Sequence, residues 1–408
     1  MKKIVVLALS LMMVFSLGIF SFASAESDLI SGLDTNYYGK FRDSDIGINV
    51  LNWGLYISDG EDGSADVNKA FEELTGIKVN YSNYSTNEEL YAKLKAGGSS
   101  YDVITPSEYM IAKMAGENML LPLDKEKIPN FKYIDKNLLD MDYDKGNTYS
   151  IPYTWGTVVI IYNKDLVSPD TDVNTWNLLW NEKYKDNILM FNNPRDAYGI
   201  ALKKLNKPIN PTNQGDIDAA TKELKAQKPM VQAYVMDEIF DKMSAGEAAI
   251  APYYAGDAIT MISDNPSLAA VFPREGTNIF VDALCIPKDA QQKEAAEMYI
   301  NFMAEPKVAA ANAEVIGYST PISEAKQYLS TEMRESPIAY PSEEIIKNAE
   351  YFVLLPQDMN LALDNGWKDL LTEDAGFTFW LVPAALAIVL IASIVMVVKR
   401  NKKKKEDY

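Results

Sequence analysis

A chain of 408 residues is longer than one hydrophobic core usually serves, so two domains or lobes are expected. The formal net charge of −18 disfavours nucleic acid and anionic ligands. The complete absence of histidine excludes Ser-His-Asp and Cys-His catalysis and HExxH zinc sites.

The chain opens with Lys2 and Lys3, a largely apolar run from Ile4 to Phe22 and then "ASAES", the pattern of an export signal cut after Ala25. No cysteine sits at that junction, so lipid attachment there is excluded. The first strand is expected at Ile48–Leu51, and it runs directly into Trp53, Gly54, Leu55 and Tyr56. Two wide aromatics astride a glycine at a strand end suit a ligand as well as a core. The acidic loop "SDGEDGSAD" lacks calcium-loop spacing and reads as solvated. Val67, Ala70, Phe71 and Leu74 then recur at helical spacing, with Gly76 as the stop. "IKVNY" reads as a strand, "STNEELYAKLKAGG" as a capped helix and "YDVITP" as a strand. Such a β-α-β-α-β run predicts an open parallel α/β sheet, whose ligands sit at the carboxyl ends of the strands.

A second α/β region follows. It holds the strands "VVIIYN" and "ILMF", the amphipathic helix "DIDAATKELKAQ" and the run "AAIAPYYAGDA". "FVDALCIP" reads as a strand, and its Cys285, the one cysteine, as a buried and inert thiol. Helices are expected in "KEAAEMYINFMAEPKVAAANAEVIG". At the far end, Phe377 to Val398 is a run of 22 uncharged residues followed by six basic and two acidic ones. That length spans a bilayer of about 30 Å, and the lysines mark its cytoplasmic side. Removing the leader's +2 and the tail's +4 leaves −24 for residues 26–398, a body that concentrates cations in its clefts.

The stretches "GIKVNYSNYSTNEELYAKLKAGGSSYDVITPSEYMIAKM", "YSIPYTWGTVVIIYN", "WNLLWNEKYKDNILM", "FPREGTNIFVDALCIP" and "AEVIGYSTP" resemble the spermidine/putrescine-binding proteins of bacterial ABC uptake systems, over about residues 48–368. The resemblance implies a two-lobed periplasmic-binding-protein fold (type II), with the chain crossing between lobes near 153–157 and 280–284. It further implies a polyamine ligand, an ABC permease as partner, a monomer, and no cofactor, metal or catalytic reaction. The divisions expected are a signal peptide (1–25), a first lobe (46–155 and 282–324), a second lobe (156–281 and 325–370), a transmembrane helix (377–398) and a basic cytoplasmic tail (399–408).

Carried over motif by motif, the family's aromatic and polar ligand positions fall on Trp53, Tyr56, Ser107, Tyr109, Tyr254, Phe280 and Tyr318. Its acidic positions fall on Asp196, Asp257 and Asp282. Each has an ordinary structural alternative: core packing for the aromatics, helix capping for Asp196 and Asp257. Asp282 follows an apolar strand, where a buried carboxylate demands a partner. Tyr253 is left to the core, and Arg195 is expected to pair with nearby carboxylates. The chain departs from many relatives at Leu55 and Asn193, where they carry acids, and Phe280 with Asp257 resembles the putrescine-preferring branch. Two other readings stand beside this one: a surface glycoside hydrolase using Asp196 and Asp282, whose carboxyls would flank a sugar-sized groove, and a ferric-iron receptor suggested by the paired Tyr253 and Tyr254.

Overall fold

The computed structural model describes residues 25–372 apart from 98 and 99, so the expected signal peptide, transmembrane helix and tail lie outside the described residues, bar Ala25. Nine strands form one continuous sheet in the order β2-β1-β3-β9-β4-β7-β5-β6, with β8 also paired to β4. The first lobe is built on β1 (Gly47–Trp53), β2 (Lys78–Tyr84) and β3 (Val103–Ile104), parallel to one another. The second is built on β5 (Ile188–Phe191), β6 (Val231–Val235) and β7 (Ile250–Tyr254), also parallel, flanked by β8 (Leu268–Val271). β4 (Ser150–Asn163) belongs to both. Its residues 150–157 pair with β9 (Ile279–Cys285) and its residues 158–162 with β7, so the lobes change over at Thr157 and Val158. A bulge lies between Pro152 and Thr154, where proline has no N–H to give the ladder.

Local chemistry sets the helix ends. α1 (Val67–Thr75) starts on Asp66, whose side chain accepts from the Lys69 N–H, and stops at Gly76 in the left-handed region, φ 78°. The apolar positions read from its spacing are all buried, Val67, Ala70 and Phe71 completely. α2 (Asn87–Ala96) is capped by the Thr86 hydroxyl, while Glu89 reaches back to the Ser85 N–H. α3 (Glu108–Gly116) follows β3, α4 (Pro194–Lys204) follows β5, and α5 (Gln214–Gln227) leads to β6. α6 (Ala255–Asp264) follows β7, and α7 (Lys293–Met303) and α8 (Pro306–Ile316) cover the first lobe. α9 (Gln357–Thr372) buries Met359, Leu363, Trp367 and Leu370 on the second.

The α/β class and the two lobes agree with expectation, and the boundary at 325 does not. Ala325, Leu329, Met333 and Ala339 are buried in the first lobe's core, because the turn Ser323–Tyr328 folds back against α8. The chain joins the second lobe only near residue 350. There the Ile279 N–H donates to the Glu350 carbonyl, and Glu350 forms an ion pair with Lys203. The chain therefore changes lobe in β4, before β9, and between 340 and 350, the last of these later than the expected 325.

Candidate functional site

A cleft with about 740 Å³ of empty space, the open solvent at its mouth included, lies between the lobes, at the carboxyl ends of the parallel strands of both. All ten ligand positions carried over from the sequence line it, and so does Asn193. β1 delivers Trp53 and, past the turn, Tyr56; β3 delivers Ser107 and Tyr109; β9 places Phe280 and Asp282 on the same side. Tyr318 arrives just beyond the end of α8. From the second lobe, Asn193 and Asp196 open α4, while Tyr254 and Asp257 mark the passage from β7 to α6.

Three aspartates each accept from a tyrosine hydroxyl. Tyr56 donates to Asp282 Oδ2 at 2.6 Å within the first lobe, and Tyr254 to Asp196 Oδ2 at 2.8 Å within the second. Tyr318 donates to Asp257 Oδ2 at 2.9 Å across the cleft. Asp282 also accepts from Ser107 Oγ at 2.6 Å. Ser107 stands at the N-cap of α3, yet its hydroxyl is spent on this carboxylate instead of on the helix. The rings pack edge-on: Tyr56 and Tyr318 have centroids 4.9 Å apart, Tyr254 and Phe280 5.4 Å. Trp53 leans on Tyr84 at 4.5 Å, and its buried indole N–H has no hydrogen-bond partner among the described residues.

Capping does not account for Asp196 and Asp257. The cap of α4 is Asn193, which accepts from the Arg195 N–H at 3.0 Å, and both aspartates lie inside first turns, where the helix favours negative charge. Tyr253 packs as expected, stacked on Phe191 at 5.1 Å, although its edge touches the cavity. Arg195 corrects an expectation. Its Nη2 donates to Asn210 Oδ1 and to the Val353 carbonyl, both at 3.2 Å, and its plane lies over Tyr109 and Phe352. Carboxylates reach it only through their field, because the carbonyls and rings are nearer.

Burial dominates the electrostatics. It pushes Asp282 up to about 6, against the Ser107 and Tyr56 hydroxyls that favour its charge. It pushes Asp196 up to about 7 and Asp257 up to about 8, and for Asp257 the negative charge of Asp237 adds to the rise. Among the described residues, five carboxylates line the cavity (Glu108, Asp196, Asp237, Asp257 and Asp282) against one cation, Arg195. Such a cleft is short of positive charge and walled by aromatic faces, which suits an organic cation.

The sequence reading missed Glu108, Asp237 and Phe352, which line the cavity, and Glu88, which accepts from the Tyr109 hydroxyl at 3.0 Å. A signal existed for Asp237, which stands two residues past the carboxyl end of a parallel strand. For Glu108 there was none: an acid in the first turn of a helix ordinarily faces water, whereas this one is 1% exposed, with burial pushing it up to about 8.

The family of bacterial extracellular solute-binding proteins matches residues 67–341. The spermidine/putrescine-binding periplasmic protein of Escherichia coli is 38% identical over 301 residues, 74% of this chain and 84% of that protein. An ABC transporter protein from Listeria monocytogenes has the same fold at TM-score 0.76 and 37% identity, covering 79% of this chain and 98% of its own. The spermidine/putrescine ABC transporter substrate-binding protein of Streptococcus pneumoniae, solved with calcium and HEPES, gives 0.68 and 34%, covering 80% and 98%. These are binding proteins rather than enzymes, which sets aside the hydrolase reading of Asp196 and Asp282. The chain belongs to the bacterial extracellular solute-binding protein family.

Proposed function

We propose that this solute-binding protein captures a polyamine, putrescine or spermidine, in the cleft between its lobes and delivers it to an ABC permease. The observation that carries the reading is the set of three tyrosine-held aspartates (Asp196, Asp257 and Asp282) inside a wall of aromatic rings. A polyamine is an aliphatic chain with an ammonium every three or four carbons. Carboxylates suit its ends, and aromatic faces suit its methylenes. Charge-assisted hydrogen bonds contribute on the order of 1.5–3 kcal/mol each, and a desolvated cation over a ring about 2 kcal/mol. Two ammoniums so held supply the roughly 8 kcal/mol of micromolar binding after association costs. The names of the E. coli and S. pneumoniae relatives support the same ligand class. Asn193 gives its amide to the α4 cap and brings no charge, which favours the diamine putrescine over a triamine.

In this reading the leader directs export. Residues 377–398 hold the protein to the membrane with the body outside and the lysine tail inside, supported by their length, their lack of charge and the flanking cations. Among the described residues no helix is long and apolar enough to cross a membrane. Calorimetry of the purified full-length chain against putrescine, spermidine, spermine, sugars and ferric citrate tests the ligand class. Saturable heats with polyamines alone are expected; binding of a sugar or of ferric citrate in their place would overturn the reading.

A further inference from the structure

Each of the three parallel strands of the second lobe delivers an acid to the cavity: β5 leads to Asp196, β7 to Asp257 and β6 to Asp237. The first two carry tyrosine hydroxyls; the third carries nothing. Among the described residues the Asp237 carboxylate makes no hydrogen bond or ion pair, and its field raises Asp257 and Tyr253. It reaches across the cleft to the turn after β1. A Cβ placed on Gly54 would lie 2.6 Å from Asp237 Oδ2, so a larger residue there would push this carboxylate aside. On the first-lobe side of this mouth stands Leu55, 64% exposed and held at φ 50°, which brings no charge.

We propose that Asp237 is a ligand-contacting residue that receives an ammonium group of the bound polyamine at the Gly54 end of the cavity, supplying from the second lobe a charge that the first lobe lacks there. The inference rests on the polyamine reading above. Asp237 and Asp257 are like charges on one wall, and a cation between them relieves their repulsion. Asp282 and Asp237 stand on opposite lobes, so a ligand held by both bridges the cleft. A ligand must then carry two ammoniums set apart: one for Asp282 in the depth of the site and one for Asp237 at its mouth.

Calorimetric titration of the full-length chain with putrescine and with spermidine tests this, using Asp237→Asn and, as a control, Asp241→Asn. The control removes the same charge four residues further on, outside the cavity wall. Asp237→Asn is expected to weaken both ligands about tenfold, the scale of one charge-assisted hydrogen bond at a partly open site. Asp241→Asn is expected to stay within twofold of the parent, and the unliganded Asp237→Asn protein to melt at or above the parent's Tm, because no partner is lost. Parent binding with Asp237→Asn inside twofold, or equal losses in both variants, would overturn this inference alone. A parent chain that binds no polyamine would overturn the functional reading, and this contact with it.

Discussion

The Tyr318 hydroxyl of the first lobe donates to the Asp257 carboxylate of the second at 2.9 Å, a direct bond across the cleft. Beside it, Gly256 leaves no room for a Cβ against the Tyr318 ring. Tyr318→Phe keeps the ring and removes the bond. Loss of one such bond costs about 1 kcal/mol and leaves Asp257 without its donor. We expect putrescine affinity to fall roughly three- to tenfold, with little change in the Tm of the unliganded protein. An unchanged dissociation constant would show that the cross-cleft bond does not favour the closed form.

Asp282 should matter more than Asn193. In Asp282→Asn one of the Ser107 and Tyr56 hydroxyls keeps an oxygen to donate to, the other meets the amide NH2, and the negative charge is gone. The expected affinity loss is about 100-fold, from a charge-assisted contribution near 3 kcal/mol. Asn193→Ala instead removes the α4 cap and should lower stability by about 1 kcal/mol. Calorimetry paired with thermal melts separates the two; a reversed order would mark Asp282 as structural.

Binding should strengthen with pH. Burial raises Asp282 to about 6, Asp196 to about 7 and Asp257 to about 8 from the ordinary 3.8. For such acids the folded state holds the proton more tightly than the unfolded one. Their contribution to stability is therefore fully present below pH 3.8 and is lost as pH rises through 6 to 8, the reverse of an ion-paired aspartate. A bound dication favours the carboxylates and expels their protons. The unliganded protein should lose Tm between pH 5 and pH 8, the increment due to putrescine should grow over that interval, and calorimetry in buffers of different ionisation enthalpy should register proton release. A ligand increment that is flat with pH contradicts the buried-carboxylate account.

Membrane attachment can be read by accessibility. Protease added to wall-less cells should release the lobes and leave the lysine tail protected. Full-length protein in the medium, or digestion of residues 399–408, would rule the anchor out.

The site was legible where its residues break a local rule. Trp53 and Tyr56 end a strand instead of filling it, and Asp282 interrupts an otherwise apolar one, so each asked for a partner before any fold was known. Glu108 breaks no rule, since an acid at a helix start is ordinary, and Asp237 offered only its place past a strand end; the meeting of the two lobes shows what each faces. The stretch 325–339 carries apolar residues that fit either core, and its destination depends on the turn that returns it to α8. Arg195 was misjudged because charge was weighed ahead of rings and carbonyls, which hold it more closely.

The shared strand β4 has a corollary for design. In two-domain proteins joined by a linker, either half can be inherited, exchanged or expressed alone. Here cutting at Thr157 would part residues 150–157 from β9, their partner on the other piece, and leave raw, aggregation-prone edges where the two had met. Neither lobe is thus a separable stretch of sequence, and a design that changes ligand preference works on the cleft walls instead of exchanging lobes.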